Sequence, residues 1–148
     1  MYFRISLRNR TKKCLVKKTI ILKDYKKYFI IPAPVDEVFI ALTNPFTIEL
    51  WSGYPAIMDD KPGTEFSLWD GDITGENIEI IPNQKIVQEW FFGELVDKSI
   101  VTIKLFEHKK GTQVELNHIN IPDDDFENIT DGWNEYYFKP IISFFEEE

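Results

Sequence analysis

Two histidines are the side chains in this sequence that are best suited to exchange a proton near neutral pH. His108 lies in a charged turn, residues 107–110, where we expect it to be exposed to solvent. His118 shares the period-two register of Val114 and Leu116, so it is predicted to point into the buried face of a strand. The favoured interpretation there is a hydrogen-bonded structural histidine, followed by a ligand contact and then by a catalytic base.

No other residue pattern predicts catalysis, a cofactor or a bound metal. The single cysteine, Cys14, lies among lysines with no histidine nearby in sequence, so a cysteine nucleophile is not indicated. His, Cys and carboxylate residues do not occur in pairs with the spacing of metal ligands. Residues 71–75, Gly-Asp-Ile-Thr-Gly, lack the Gly-Lys-Ser/Thr ending of a phosphate-binding loop. We therefore expect a protein that is not an enzyme and needs no cofactor.

Aromatic residues form a second candidate site, because clefts between a sheet and a helix often bind apolar ligands. The four tryptophans and their inward-facing neighbours either line a ligand cavity or simply fill the core. Trp69 follows the outward register of Glu65 and Ser67, so it is predicted at the surface or in an interface. The cavity candidates are Phe39, Phe66, Ile78, Trp90, Phe92, His118, Trp133 and Tyr137.

These residues must be positioned by one strand, two short helices and a run of further strands. Residues 25–31 are predicted as the first strand, and residues 17–22 either add a strand or extend the chain. Asn44-Pro45 begins the second helix as a cap and a first-turn proline, and Ser52-Gly53 ends it. The helical spacing is that of Val35, Val38, Phe39 and Leu42 in the first helix, and of Phe46, Ile48, Leu50 and Trp51 in the second.

After the helices the pattern changes to a period of two, which predicts antiparallel strands. Asp70-Gly71, Pro82-Asn83 and Lys110-Gly111 supply the turns between them. Ile78 and Ile80 are expected on one face. The strand segments are residues 65–68, 75–81, 85–92, 99–106 and 112–119.

The last segment is predicted as a long helix beginning near Pro122 and an aspartate cluster. Its apolar stripe contains Ile129, Trp133, either Tyr136 or Tyr137, and Ile141. Pro140 lies within that stripe, which predicts a kink or a break. The predicted fold class is therefore α+β, with a curved antiparallel sheet of about six to seven strands wrapped around the C-terminal helix.

Charge divides the 148 residues into two parts, predicted as a basic extension (residues 1–24) and a single domain (residues 25–148). Residues 1–27 hold ten Lys or Arg against one acid, and residues 28–148 hold seven against 24 acids. An acidic body disfavours nucleic acid as a partner. The extension either leans on that body, as we favour, or contacts an anionic partner or membrane surface. No apolar run approaches the ~18 residues of a membrane span, so we expect a cytoplasmic protein.

Several blocks of residues, taken in order, resemble a known family. They are residues 31–34 with 38–43, then 63–66 with 69–71 and 74–76, then Pro82 with 85–87 and Trp90, and finally Gly132-Trp133 with 136–138. From about residue 25 to 146 the chain resembles the domain family named for the activator of the heat-shock protein 90 ATPase. The last block is especially similar to the C-terminal domain of the eukaryotic activator. The resemblance implies a helix-grip fold, shared with lipid-transfer (START) domains and the birch-pollen allergen.

Three functions are compatible with these patterns. The first, implied by the resemblance, is a non-catalytic co-chaperone that acts through a surface in the stress response, with a heat-shock protein 90-type chaperone as partner. The second is a carrier for a small hydrophobic ligand between the sheet and the C-terminal helix. The third is an enzyme similar to the cyclases of the wider superfamily, with His118 as the base.

Overall fold

One antiparallel sheet and a long C-terminal helix organise the computed structural model, which describes residues 20–93, 95 and 97–147. The strands are β1 (Leu22–Ile31), β2 (Glu65–Leu68), β3 (Ile73–Ile81), β4 (Lys85–Trp90), β5 (Ser99–His108) and β6 (Gly111–Pro122). They form a six-stranded sheet with the order β1-β6-β5-β4-β3-β2. Two short helices, α1 (Val35–Thr43) and α2 (Pro45–Ser52), follow β1 in the chain. The predicted α+β helix-grip architecture is confirmed.

Alternating burial separates the two faces of the sheet. In β5, Ser99, Val101, Ile103 and Leu105 are buried, and the residues between them are partly exposed. The same alternation runs through β4 and β6, and it directs His118 inward as predicted. One face of the sheet therefore forms the core beneath the helices.

Local chemistry explains where α2 begins and ends. The Asn44 side chain caps the helix by accepting a hydrogen bond from the Thr47 amide at 3.1 Å. Gly53 ends it with a left-handed backbone, φ 83°. The predicted apolar stripe of α2 is wrong in part, because Phe46 and Leu50 are 78% and 71% exposed. Only the opposite face of this helix, with Ile48 and Trp51, packs into the core.

Trp69 corrects a second prediction, because it is 3% exposed and not a surface residue. β2 ends at Leu68, and Trp69 and Asp70 adopt left-handed backbone with φ values of 50° and 53°. This turn interrupts the alternation on which the prediction depended and brings the Trp69 ring 6.0 Å from the ring of Trp51. Asp70-Gly71 forms the predicted turn, closed by the Asp72 amide on the Trp69 carbonyl at 3.1 Å.

A β-bulge in β3 overturns the expectation for Ile78. The pairing of β3 with β4 shifts its register between Asn77 and Glu79, so the residue between them is inserted into the strand. Ile78 is 44% exposed, whereas Asn77 is buried and Ile80 packs against the core. Ile78 and Ile80 do not share a face, and Ile78 does not line the interior.

The C-terminal helix is continuous but not uniform. It consists of α3 (Asp123–Gly132), a π-helical segment (Trp133–Phe138) and α4 (Lys139–Glu146). The amide of Lys139 donates to the carbonyl of Asn134, the wide spacing of a π-helix. The sequence predicted a kink or a break near Pro140. The chain does not break there, because the proline lies in the first turn of α4, and the helix changes from π to α geometry directly before it.

The N-terminal part of the sequence is described from Ile20 onward. Strand β1 begins at Leu22, somewhat before the predicted start at residue 25. Residues 1–19, which include Cys14, most of the basic extension and part of the predicted strand at residues 17–22, lie outside the described residues. Across residues 20–93, 95 and 97–147, no helix is long and apolar enough to cross a membrane.

Candidate functional site

His118 joins the sheet to the C-terminal helix through two buried hydrogen bonds. Its side chain is 0% exposed, and its Nδ1 accepts a hydrogen bond from the Trp133 indole N–H at 3.0 Å. Its Nε2 lies 2.8 Å from the Oγ of Ser99 on β5. Because Nδ1 accepts, Nε2 must carry the ring proton and donate it to Ser99. Ser99 Oγ in turn donates to the carbonyl of Ile119 at 3.3 Å.

This environment keeps the imidazole neutral. Burial lowers the pKa of His118 from its ordinary value of 6.5 to about 3, because the charged ring would lose its hydration. A general base needs a pKa near the working pH and a ring nitrogen that faces the substrate. Here both nitrogens are engaged with Ser99 and Trp133. His118 is therefore a hydrogen-bonded structural histidine, which is the interpretation that the sequence favoured.

Aromatic rings fill the space between the sheet and the helix around His118. Trp133 stacks on Trp90 of β4, with ring centroids 4.7 Å apart, and lies 4.6 Å from the ring of Tyr137. Trp51 of α2 approaches Tyr137 to 5.1 Å, and Trp69 approaches it to 5.8 Å. We call this set the aromatic cluster. Its members are Trp51, Trp69, Trp90, Phe92, His118, Trp133, Tyr137 and Phe138, all of them buried.

Of the two tyrosines at positions 136 and 137, Tyr137 faces the interior. Its side chain is 2% exposed, and its ring lies close to those of Trp51, Trp69, Trp133 and Phe138. Burial raises the pKa of its phenol above the usual value, because the phenolate would be poorly solvated. The phenol therefore stays protonated under ordinary conditions.

A second chain of buried polar groups lies on the other side of the stacked indoles. The Trp90 indole N–H donates to Gln88 Oε1 at 3.1 Å, and Gln88 Nε2 donates to Asn77 Oδ1 at 3.0 Å. Asn77 Nδ2 then donates to the hydroxyl of Thr64 at 3.1 Å. Each amide is satisfied by neighbouring side chains, so these groups fix the geometry of the core.

Asn77, Gln88 and Ser99 were not among the candidates from the sequence. A usable signal existed for two of them. Gln88 lies between Ile86 and Trp90 in the inward register of β4, and Ser99 precedes Val101 in the inward register of β5. A polar residue at an inward position requires a buried partner. Asn77 had no such signal, because the bulge that follows it hides its register.

Most of the cavity candidates are brought together, although Ile78 is excluded by its exposure. Trp90, Phe92, His118, Trp133 and Tyr137 belong to the aromatic cluster. Phe66 is buried beneath Gly75, where an added Cβ would lie 2.7 Å from the phenyl ring and 2.0 Å from the carbonyl oxygen of Glu89. Phe39 borders a surface cleft between α1 and residues 58–60. All of the candidates except Ile78 are thus buried side chains of the core.

Comparison with known proteins gives one consistent result. Residues 32–146 match the family model described as Activator of Hsp90 ATPase homolog 1-like protein. The chain is 29% identical over 108 residues to the human Activator of 90 kDa heat shock protein ATPase homolog 1, which is 72% of this chain and 32% of that protein. It is 28% identical over 119 residues to the Dictyostelium discoideum homolog, which is 78% of this chain and 30% of that protein. The chain therefore spans about a third of the length of these curated relatives.

Solved structures show the same fold. A crystal structure of an HSP90 activator from Plasmodium falciparum has a TM-score of 0.72 and 29% sequence identity, covering 85% of this chain and 96% of that chain. A crystal structure of a protein from Mesorhizobium loti has a TM-score of 0.68 at 19% identity, covering 84% and 98%. The second similarity concerns the fold alone.

Proposed function

Because this chain belongs to the family of Activator of Hsp90 ATPase homolog 1-like proteins, we propose that it is a non-catalytic co-chaperone that binds a heat-shock protein 90-type chaperone. It acts through its surface and not through a reaction in its interior. The part of the eukaryotic activators to which it corresponds is their C-terminal domain, as residues 132–138 suggest by resemblance.

The proposal depends on how the side chains of the aromatic cluster are engaged with neighbouring side chains in the core. His118 is neutral, fully buried and bonded through both nitrogens to Ser99 and Trp133. The stacked and tilted rings of Trp90, Trp133 and Tyr137 contact one another between the sheet and the C-terminal helix. Because these side chains are engaged with one another, we place the contacts with the chaperone on the surface.

The Plasmodium falciparum protein adds support from outside the chain. It is described as an HSP90 activator, and 96% of its solved chain is matched by this one at 29% identity. This similarity supports the proposal that a fold unit of this size binds the chaperone.

Binding and ATPase measurements with the heat-shock protein 90 homologue of the same organism test the proposal. We expect the purified full chain to bind the immobilised full-length chaperone saturably and to change its rate of ATP hydrolysis. Serum albumin at the same concentration is the control for nonspecific binding, and an inhibitor of the chaperone's ATP site identifies the chaperone's share of the hydrolysis. Absence of both binding and a rate change at concentrations up to ~100 μM, beyond the range of ordinary specific affinities, would contradict the proposed function.

A further inference from the structure

Two large apolar side chains lie in solvent on α2. Phe46 is 78% exposed and Leu50 is 71% exposed, the two highest values among the exposed large hydrophobic residues of the described chain. They are four positions apart, so they are neighbours on one face of the helix. The opposite face, with Ile48 and Trp51, already anchors α2 in the core. Phe46 and Leu50 are therefore not needed to hold the helix in place.

The neighbouring end of α1 extends this apolar surface. A cleft of about 330 Å³ is bordered by Ile40, Pro45 and Met58, together with Asp59 and Asp60. Ile40 is 48% exposed, and Pro45 directly precedes Phe46 at the start of α2. We call Ile40, Phe46 and Leu50 with this cleft the α1–α2 surface. The two helices contact each other, and exposed apolar side chains grouped on neighbouring elements mark interaction sites more often than isolated ones do.

Acidic groups surround the α1–α2 surface. Glu49 lies one turn after Phe46 on α2, and Asp36 and Glu37 lie one turn before Ile40 on α1. Asp59 and Asp60 border the cleft, where Lys61 approaches Asp60 to 3.7 Å. Five carboxylates and one ammonium group thus lie among these described residues. A partner segment that buries its apolar side chains on this surface must bring Lys or Arg to match the rim.

We propose that the α1–α2 surface is where the chaperone docks, by a segment that carries one or two large apolar side chains flanked by Lys or Arg. This inference rests on the proposed function and names the surface that performs it. Phe46 and Leu50 are the anchors, because they project furthest and become buried on contact. The carboxylates of Glu49 and Asp60 select the basic flanks and make the association depend on salt.

Paired variants of the full chain test this surface against the purified chaperone. Phe46→Ser with Leu50→Ser is expected to weaken binding at least tenfold, with an unchanged melting temperature because both side chains are exposed. Ile78→Ser is the matched control, since it removes another exposed apolar side chain, on β3, and should retain the affinity of the unsubstituted chain. Glu49→Lys should weaken binding at low salt, whereas Glu146→Lys, at the end of α4, should not.

The outcomes distinguish an error in the docking surface from an error in the proposed function. If the unsubstituted chain binds the chaperone and the Phe46→Ser, Leu50→Ser variant binds it equally well, the docking surface is wrong and the proposed function stands. If the unsubstituted chain does not bind, both fail.

Photo-crosslinking identifies the occupant directly. With a benzoylphenylalanine in place of Phe46, we expect crosslinks to a Lys- or Arg-flanked segment of the added chaperone. Crosslinks to residues 1–19 of the same chain, or to a second copy of it, would instead assign the surface to the chain itself and overturn the proposal. A chain carrying benzoylphenylalanine in place of Ile78 provides the control for random contact.

Discussion

At the level of single residues, desolvation decides the protonation state of His118. A buried imidazole with two neutral partners is stable only as the neutral ring. The Trp133 indole N–H fixes the tautomer, and Ser99 Oγ accepts a hydrogen bond from the Nε2–H of the ring. The same bonds remove the histidine from acid–base chemistry. A residue type that suggested catalysis in the sequence is here a polar connection between β6 and the helix.

Stability should therefore depend on pH through His118. Its pKa is about 3 in the folded chain and 6.5 in the unfolded one. Below the unfolded value the unfolded chain takes up a proton that the folded chain does not, so the free energy of unfolding falls as the pH falls. We expect a loss of about 1.4 kcal/mol per pH unit from this group between about pH 6 and about pH 3, measured by urea unfolding at a series of pH values.

Two histidine variants separate this contribution from that of the carboxylates. In His118→Gln the side-chain amide can accept a hydrogen bond from Trp133 and donate one to Ser99, and it does not titrate. The free energy of unfolding should therefore depend less steeply on pH, by the amount that corresponds to the uptake of about one proton. His108→Gln, at the last residue of β5, should retain the slope of the unsubstituted chain. Equal slopes for His118→Gln and the unsubstituted chain would show that the buried ring is not the group responsible.

At the scale of elements, the π-helical segment explains how the C-terminal helix keeps one face on the sheet. Ile129, Trp133, Tyr137, Ile141 and Phe145 are all buried and follow one another at intervals of four residues. In a regular α-helix each such interval drifts by roughly 40° around the axis, because the period is 3.6 residues. The wider turn at Trp133–Phe138 compensates for part of this drift. It is also the place where the rings of Trp133 and Phe138 stack on Trp90 of β4 and Phe29 of β1.

Adding one residue to the π-helical segment should be far more damaging than changing one. Insertion of an alanine after Glu135, which is exposed, would rotate α4 by roughly 100° relative to α3, because the π turn already accommodates one extra residue. Ile141 and Phe145 would leave the core, so we expect the free energy of unfolding to fall by at least about 3 kcal/mol. Glu135→Ala is the matched control and should cost less than about 0.5 kcal/mol, since it loses only an exposed pair with Lys139. Urea denaturation followed by tryptophan fluorescence measures both changes, and an insertion as mild as the substitution would contradict the structural role of the π turn.

At the scale of the whole molecule, an aromatic core is combined with an acidic sequence. Residues 28–148 hold 24 acidic against seven basic residues, and the large side chains of the aromatic cluster lie inside. The α1–α2 surface presents apolar groups beside carboxylates. Binding of a basic partner segment at this surface is therefore expected to weaken as the ionic strength rises.

Hydrophobic ligands should leave the folded chain unchanged. Native mass spectrometry of the purified protein should show the chain without a co-purified lipid. Oleate or retinol should shift its melting temperature by less than ~1 °C. A ligand that binds would do more, because at 100 times its Kd it would add about 2.7 kcal/mol to the free energy of unfolding. Serum albumin, treated in parallel, serves as the control for ligand delivery. A stoichiometric adduct together with a higher melting temperature would support the carrier function instead.

Local patterns in the sequence were sufficient to predict most of the fold. Prolines, capping residues and turn pairs such as Pro82-Asn83 act on the backbone near them, so their effect is visible without knowledge of the partner strands. Period-two alternation assigned His118 to the interior, and the order of the elements indicated a sheet that packs against the final helix. The family resemblance followed from the same short blocks, and residues 32–146 match that family.

Tertiary structure decided what those residues do. Whether His118 is a base or a structural link depended on Trp133 and Ser99, which lie on two other elements. The burial of Trp69 depended on a left-handed turn that follows the end of β2, and the exposure of Ile78 depended on a bulge that shifts the register of β3. The exposure of Phe46 and Leu50 depended on which face of α2 packs against the core. The sequence determines local backbone preferences, because these arise from neighbouring residues, whereas burial and hydrogen-bond partners arise from contacts between residues far apart in the chain.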